Sequence, residues 1–496
     1  MKWWQNIPFF LVWVPLLCAS LTAVLPCKAS QALILLFPAL GTVLSGVLYL
    51  HVSGNMAFYT FPMGLFGAPF GNELRYGTVE AIMAGTFCLV LFLSLLGGWK
   101  RLQEHIAPER KKLYCVMVML LLSSMMAEVF TNDMFTAYVF IEITTIAACA
   151  LIVARTRGRT LFAATQYMIF NMLGSGLYLL GISVLYCMTG HLLMVPMHEK
   201  IEAMMASGEH LQSLTLSVTL MTIGLGIKSA LYPFHRWLPD AYEKCTPSSS
   251  AMLSSLISKT YLFLYIKILV RVVGLQHMNA LDLRPVLVLC AFGSILMGSI
   301  DALLEKKMRR MIADSSVAQI GYIYLGIAVG TEAGIAAALF HIIAHALAKS
   351  LLFLSGDRLI GASDEDADFH ELCGAGFRAP FSGAAFTVGA LSITGIPLLA
   401  GFASKLYLSQ ACLTMPSRWA FAGLIVLAIS TALTASYFLI TVITIYRTPM
   451  HAYHAPVHHP WYSTAALLIL AGLLVVVGVC GSSLYTSILS GIPYLI

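Results

Sequence analysis

The 496-residue chain has little charge: Asp, Glu, Lys and Arg make up 10% of it, against about 25% in ordinary soluble domains. That is too few ionic side chains to coat a soluble globule of this length, and 59% of the residues are hydrophobic. The eleven cysteines form no C-x-x-C pair, so the usual spacing for iron–sulfur, haem or zinc ligation is missing. Glycine patterns that cradle a nucleotide, G-x-G-x-x-G and G-x-x-x-x-G-K followed by Ser or Thr, are absent too. No cofactor or metal is expected.

What the chain does have is apolar runs, each long enough to cross a hydrocarbon core of about 30 Å as a helix. They lie near 8–25, 32–51, 77–97, 113–128, 134–154, 162–188, 213–232, 248–272, 284–301, 310–330, 334–355, 379–410, 419–445 and 462–485. The runs are continuous and do not alternate as barrel strands would, so the expected fold is an all-α polytopic membrane protein of about fourteen spans. The first run is followed by Pro26, Cys27 and small residues, as a secretion signal would be, but the polytopic chain behind it favours an uncleaved first span.

Loop charge tests that count. Alternating connections place eighteen Lys and Arg on one side, from Lys28 through Lys100 and Arg101 to Arg447, and six on the other: Lys2, Arg75, Lys200, Arg271, Arg284 and Arg418. This bias is expected to mark the cytoplasmic face, with both termini opposite. The net charge of +6 is then a topology signal and gives no indication of nucleic-acid binding.

The remaining five basic residues, Lys228, Lys259, Lys267, Lys349 and Lys405, fall inside spans. An uncompensated lysine at the centre of an inserted helix costs about 2.5–3.5 kcal/mol. Glu142, mid-span in FTAYVFIEITTI, is the clearest counter-charge. Pro233 in GIKSALYPFHRWLPDAY should break the helix just past Lys228, and broken backbone at membrane depth needs protein or a water-filled cavity to satisfy it. Gly395, Pro397 and Gly401 interrupt a second apolar segment just before Lys405. Gly224 to Lys228 and Gly401 to Lys405 share one spacing across helices 7 and 12, and an offset of five suggests units of opposite orientation. His341, His345 and Lys349 recur every fourth residue and form one polar stripe, suited to a proton relay. The two histidines alone lack the further ligands a metal would need. Lys259, among Ser254, Ser255 and Ser258, joins the relay candidates, while Lys267 is expected to be structural and to snorkel.

Six collinear stretches now carry a resemblance: FTAYVFIEI, GIKSALYPFHRWLPDAY, SSAMLSSLISKTYLFLY, KKMRRMIADSSVAQIGYI, HIIAHALAKSLLFLSGD and ITGIPLLAGFASKLYL. They resemble the successive signatures of the antiporter-like membrane subunits of respiratory complex I, membrane-bound hydrogenases and Mrp-type Na+/H+ antiporters. The resemblance implies three leading helices (1–110), two inverted five-helix repeats (111–275 and 276–446) with broken helices 7 and 12, and a last helix (447–496). It also implies a proton relay through Glu142, Lys228, Lys259, His341, His345, Lys349 and Lys405.

The chain is most similar to the D-type Mrp subunit, which implies a proton- or cation/proton-translocating subunit with membrane partners and with H+ and Na+ as its ions. The alternative is a proton- or sodium-pumping subunit of an NADH dehydrogenase-like or hydrogenase-like redox complex, part of an oxidoreductase without a redox site of its own. Asp314 departs from the family, which more often has an aromatic residue there, as do Glu243, Lys244 and Cys245. The acidic segment 361–378 is expected to be a solvated loop, and His451, His454, His458 and His459 a surface cluster.

Overall fold

The computed structural model describes residues 3–55, 58–63, 66, 71–155, 158–361, 369–448 and 459–495. Arg157, most of the acidic loop, and His451, His454 and His458 lie outside the described residues.

Two helices, α1 (Ile7–Val24) and α2 (Cys27–Asn55), lead into an antiparallel ribbon of β1 (Tyr59–Pro62) and β2 (Glu73–Tyr76), with Thr60 opposite Arg75. The ribbon is a small departure from the wholly helical expectation. Then follow α3 (Thr78–Gly97), α4 (Trp99–His105), α5 (Pro108–Phe130), α6 (Met134–Val153), α7 (Gly158–Thr189), α8 (Met194–Ser207) and α9 (Leu211–Ser229). After a break come α10 (Trp237–Lys244), α11 (Pro247–Met252) and α12 (Ser258–Ile268), with π-helical turns at Leu253–Ile257 and Leu269–Val273. The rest comprises α13 (Leu283–Leu304), α14 (Met308–Val329), α15 (Glu332–Gly361), α16 (Ala375–Arg378), α17 (Pro380–Thr394), α18 (Ala400–Cys412), α19 (Ser417–Ile445), α20 (Trp461–Val479) and α21 (Gly481–Gly491).

Twelve helical segments among the described residues are long and apolar enough to cross a membrane. The expected spans at 248–272 and 379–410 are not among them, because shorter pieces make up each. The first is α11 and α12 joined by π-helical turns; the second is α17 and α18 on either side of a non-helical stretch.

Helices α1, α2, α7 and α19 turn Leu17, Val43, Leu173 and Phe421 outward, as a surface solvated by lipid requires. The interior belongs to α14 and α15, where Met311–Val329 and Gly334–Ile360 are buried without interruption. Every polar side chain on α15 between those limits is therefore enclosed by protein.

Charge gathers at the two ends of the bundle. At one, Arg101 Nε lies 3.4 Å from Asp357 Oδ2, and Arg309 pairs with the same carboxylate. At the other, Arg271 Nη2 lies 2.8 Å from Glu80 Oε1, and Arg271 also donates to Asn132 Oδ1 at 3.1 Å and to the Leu495 carbonyl at 2.7 Å. Arg101 and Arg309 come from connections that the loop-charge count puts on the Lys/Arg-rich side, Arg271 from the opposite side. Arg271 is fully buried, although it reads as a loop residue in the sequence.

Candidate functional site

Helix α9 carries Lys228 to the position before its last residue. Ala230 takes left-handed backbone (φ 62°), and the Leu231 amide donates to the Gly226 carbonyl at 2.8 Å, which closes the helix ahead of Pro233. Helical backbone resumes in the 3-10 turn Phe234–Arg236, and Trp237 Nε1 donates to the Ile227 carbonyl at 3.2 Å across the break. The Gly226 and Ile227 carbonyls at the break are thus met by protein.

Lys228 is fully buried, and its Nζ donates to Thr145 Oγ1 at 2.7 Å. Glu142, one turn earlier on α6, brings Oε1 to 3.9 Å from that ammonium, and Glu142 is 28% exposed. This separation is an ion pair just beyond hydrogen-bond length. Two unit charges at about 4 Å interact by about 4 kcal/mol at an effective dielectric of 20, so a shift of the carboxylate by an ångström or so changes the lysine's energy appreciably.

Sequence reasoning missed Glu128. It is fully buried on α5, accepts a hydrogen bond from Thr144 Oγ1 at 2.6 Å, and lies within electrostatic reach of Lys228. Lys228 therefore has two acidic neighbours. The expected span ended at residue 128, whereas α5 runs on to Phe130 and encloses the carboxylate; the apolar Val129 and Phe130 after it were the available signal.

Lys259 follows the π-helical turn and donates to the Ser254 carbonyl at 2.5 Å and to Ser258 Oγ at 3.1 Å. The unwound turn supplies that carbonyl, a use π-bulges often have at functional positions. Lys267 does not snorkel. It is fully buried and donates to the carbonyls of Glu128, Val129 and Thr131 at 3.2, 2.8 and 2.7 Å, capping the C-terminus of α5.

On α15, Lys349 Nζ donates to the Ile312 carbonyl at 2.6 Å and to Ser315 Oγ at 2.5 Å, and the charge of Lys259 reaches it from α12. The rings of His341 and His345 stack with centroids 5.9 Å apart. His341 Nδ1 lies 2.6 Å from Ser404 Oγ, whereas neither ring nitrogen of His345 has a hydrogen-bond partner among the described residues. A cavity of about 10 Å³ bordered by His341, His345, Gln319 and Lys405 approaches the room one water needs. Lys405 Nζ donates to the Thr394 carbonyl at 3.0 Å and to Thr431 Oγ1 at 3.2 Å.

The shared Gly-x-x-x-Lys spacing does not fall on equivalent places. Lys228 precedes its break, whereas Lys405 lies in α18, after the break that holds Gly395 and Pro397. The two glycines share a packing need instead. A Cβ on Gly224 would stand 2.5 Å from the Gly174 carbonyl oxygen, and one on Gly401 would stand 1.7 Å from that of Ser392. Gly401→Ala is accordingly expected to destabilise the protein by at least the roughly 1–3 kcal/mol of ordinary overpacking. Thermal denaturation of the detergent-solubilised protein reads this directly.

All eleven cysteines are unpaired, and among the described residues no three His, Cys, Asp or Glu side chains converge as a metal site. The site is a line of ionisable and hydroxyl groups through an apolar bundle, an arrangement suited to passing protons.

Residues 131–434 match the family "NADH:quinone oxidoreductase/Mrp antiporter, TM", and the chain belongs to that family as a multi-pass membrane protein. It is 34% identical over 413 residues to NADH-quinone oxidoreductase subunit N of Desulforudis audaxviator, covering 80% of this chain and 79% of that one. Against the D-type subunit of the Na(+)/H(+) antiporter of Bacillus subtilis the identity is 27% over 403 residues, with the same coverage. Its fold is similar to a chain of the Mrp complex from Dietzia sp. DQ12-45-1b, with a TM-score of 0.88 at 21% identity over 100% of this chain and 98% of that one.

Proposed function

We propose that the protein is a proton-translocating subunit of a multi-subunit membrane complex. Its protons pass along Glu142 and Lys228, then Lys259, then Lys349, His345 and His341, to Lys405. The observation that carries this reading is the fully buried Lys228, held by Thr145 with Glu142 just beyond hydrogen-bond distance. When the carboxylate approaches, the ammonium is stabilised; when it withdraws, an unneutralised charge is left in an apolar interior and the proton moves on. The hydroxyls and carbonyls at each lysine hold the amine in place without fixing its charge.

In this reading the composite segments at 247–273 and 380–412 also cross the membrane, which makes fourteen crossings. Residues 111–275 and 276–446 then form two five-crossing units of opposite orientation.

The D-type antiporter subunit and the redox-driven subunit remain the two forms of the function. The first is supported by the likeness to the Bacillus subtilis antiporter subunit, the second by the higher identity to a NADH-quinone oxidoreductase subunit N. Inverted vesicles carrying the complete complex separate them. Proton movement driven by a sodium gradient without reductant identifies the antiporter, and movement only with reductant identifies the redox complex. No proton movement under either condition would refute the proposal.

A further inference from the structure

Asp314 is left over from the relay above. It is 6% exposed on α14, one of the two enclosed helices, and among the described residues its carboxylate makes no hydrogen bond or ion pair. A carboxyl group is seldom buried in that way without a use. Its charged neighbours are Arg310, Asp301, Glu305 and Lys349.

Beside it runs a polar seam on α19. Ser430, Thr434, Tyr437 and Thr441 are all buried at spacings of four, three and four residues, one face of the helix. Tyr437 Oη donates to Thr434 Oγ1 at 3.3 Å and has Ser315 and Asp314 as further neighbours. Ser315 is the residue that holds the Lys349 amine. At its outer end the seam opens into a cavity of about 360 Å³ between α13, α14 and α19, bordered by Glu305, Met311, Tyr437, Thr441 and Arg447. Glu305 and Arg447 lie at the ends of helices on the Lys/Arg-rich face.

We infer that this cavity is a second proton inlet, opening on the Lys/Arg-rich face and loading Lys349 through Asp314. The inference rests on the relay reading above and adds to it a separate source of protons for the second half of the chain. In the loading step the Asp314 carboxyl releases its proton to the neutral Lys349 amine, leaving a carboxylate beside an ammonium; a proton taken up from the bulk on the Lys/Arg-rich face and relayed by water in the cavity then restores the carboxyl. Ser315 holds the Lys349 amine, and Tyr437, a neighbour of both Ser315 and Asp314, completes the path when the carboxyl turns toward it. Arg310 faces Asp314 from the same helix, Asp301 from α13 and Glu305 from the residue that ends α13, so the inlet holds both signs of charge at its mouth.

The test uses the assembled complex in inverted vesicles. Asp314→Asn should slow proton movement by about a hundredfold, the lower end of what a positioned proton-transfer group contributes, and Asp314→Glu should retain most of it. Independently, Thr441→Cys, in a chain whose cavity-lining Cys373 is replaced by Ser, should react with a small membrane-impermeant thiol reagent applied to the Lys/Arg-rich face and not from the other. Parent rates in Asp314→Asn, or no labelling of Thr441→Cys from that face, would overturn the inlet. Glu142→Gln measured alongside separates the two readings. Loss there with parent rates in Asp314→Asn removes the inlet alone, and parent rates in both remove the relay as well.

Discussion

Lys228→Ala and Glu142→Gln are each expected to reduce proton movement by about two to four orders of magnitude while the complex still assembles, since a positioned proton-transfer group contributes about 10²–10⁴-fold. Assembly is expected to survive on energetic grounds. A buried lysine costs an inserted helix about 2.5–3.5 kcal/mol, so its removal relieves a burden, offset by the void that alanine leaves. Thr145, which accepts from Lys228, also donates to the Ile141 carbonyl at 2.8 Å and keeps that bond in the alanine variant. Glu142→Gln preserves shape and removes only the charge. Rates of cation- or reductant-driven pH change at matched complex content measure the effect.

Arg271→Ala is expected to act in the opposite manner, with stability lost before function can be assayed. Arg271 and Glu80 are both buried and 2.8 Å apart. Removing one partner of such a pair leaves an uncompensated charge and costs about 3–5 kcal/mol. That is a large share of the roughly 5–15 kcal/mol that holds a folded domain. Asn132 and the Leu495 carbonyl lose a donor as well, so α3, the connection after α5, the π-helical turn after α12 and the C-terminal residues are loosened at one point. Recovery of the complex at matched expression, together with its thermal denaturation, should show the loss. Adding Glu80→Gln to Arg271→Ala should recover part of it by removing the stranded carboxylate.

Much of this was legible in the sequence, because lipid as solvent makes few demands and makes them plainly. Apolar runs become helices since nothing else satisfies the backbone, and a lysine inside such a run stands out against its neighbours. Lys228, Lys259, Lys349 and Lys405 were found by that contrast alone, and Pro233 marked the break beside Lys228. What the sequence hid lies where helices end or meet. Glu128 sat at an assumed span boundary, and α5 extends two residues beyond it. Arg271 reads as a loop charge until Glu80, about 190 positions earlier, is seen against it. Lys267 was read as a snorkelling side chain, yet it caps α5 through carbonyls that only packing brings within reach. The seam on α19 consists of hydroxyls, which a hydropathy reading passes over because Ser, Thr and Tyr are ordinary in membrane helices. The Gly-x-x-x-Lys echo shows the reverse failure, a match in spacing whose members sit on opposite sides of their breaks.

The proposed relay requires Lys228 both to take and to give up a proton, and Lys228→Arg separates that role from a fixed charge. Arginine keeps the positive charge near Glu142 and Thr145, but its guanidinium is not deprotonated in proteins. Proton movement by the assembled complex in inverted vesicles should therefore be lost in Lys228→Arg as it is in Lys228→Ala. Transport at the parent rate in Lys228→Arg, with Lys228→Ala inactive, would contradict the account, because it would make Lys228 a fixed charge and not a carrier.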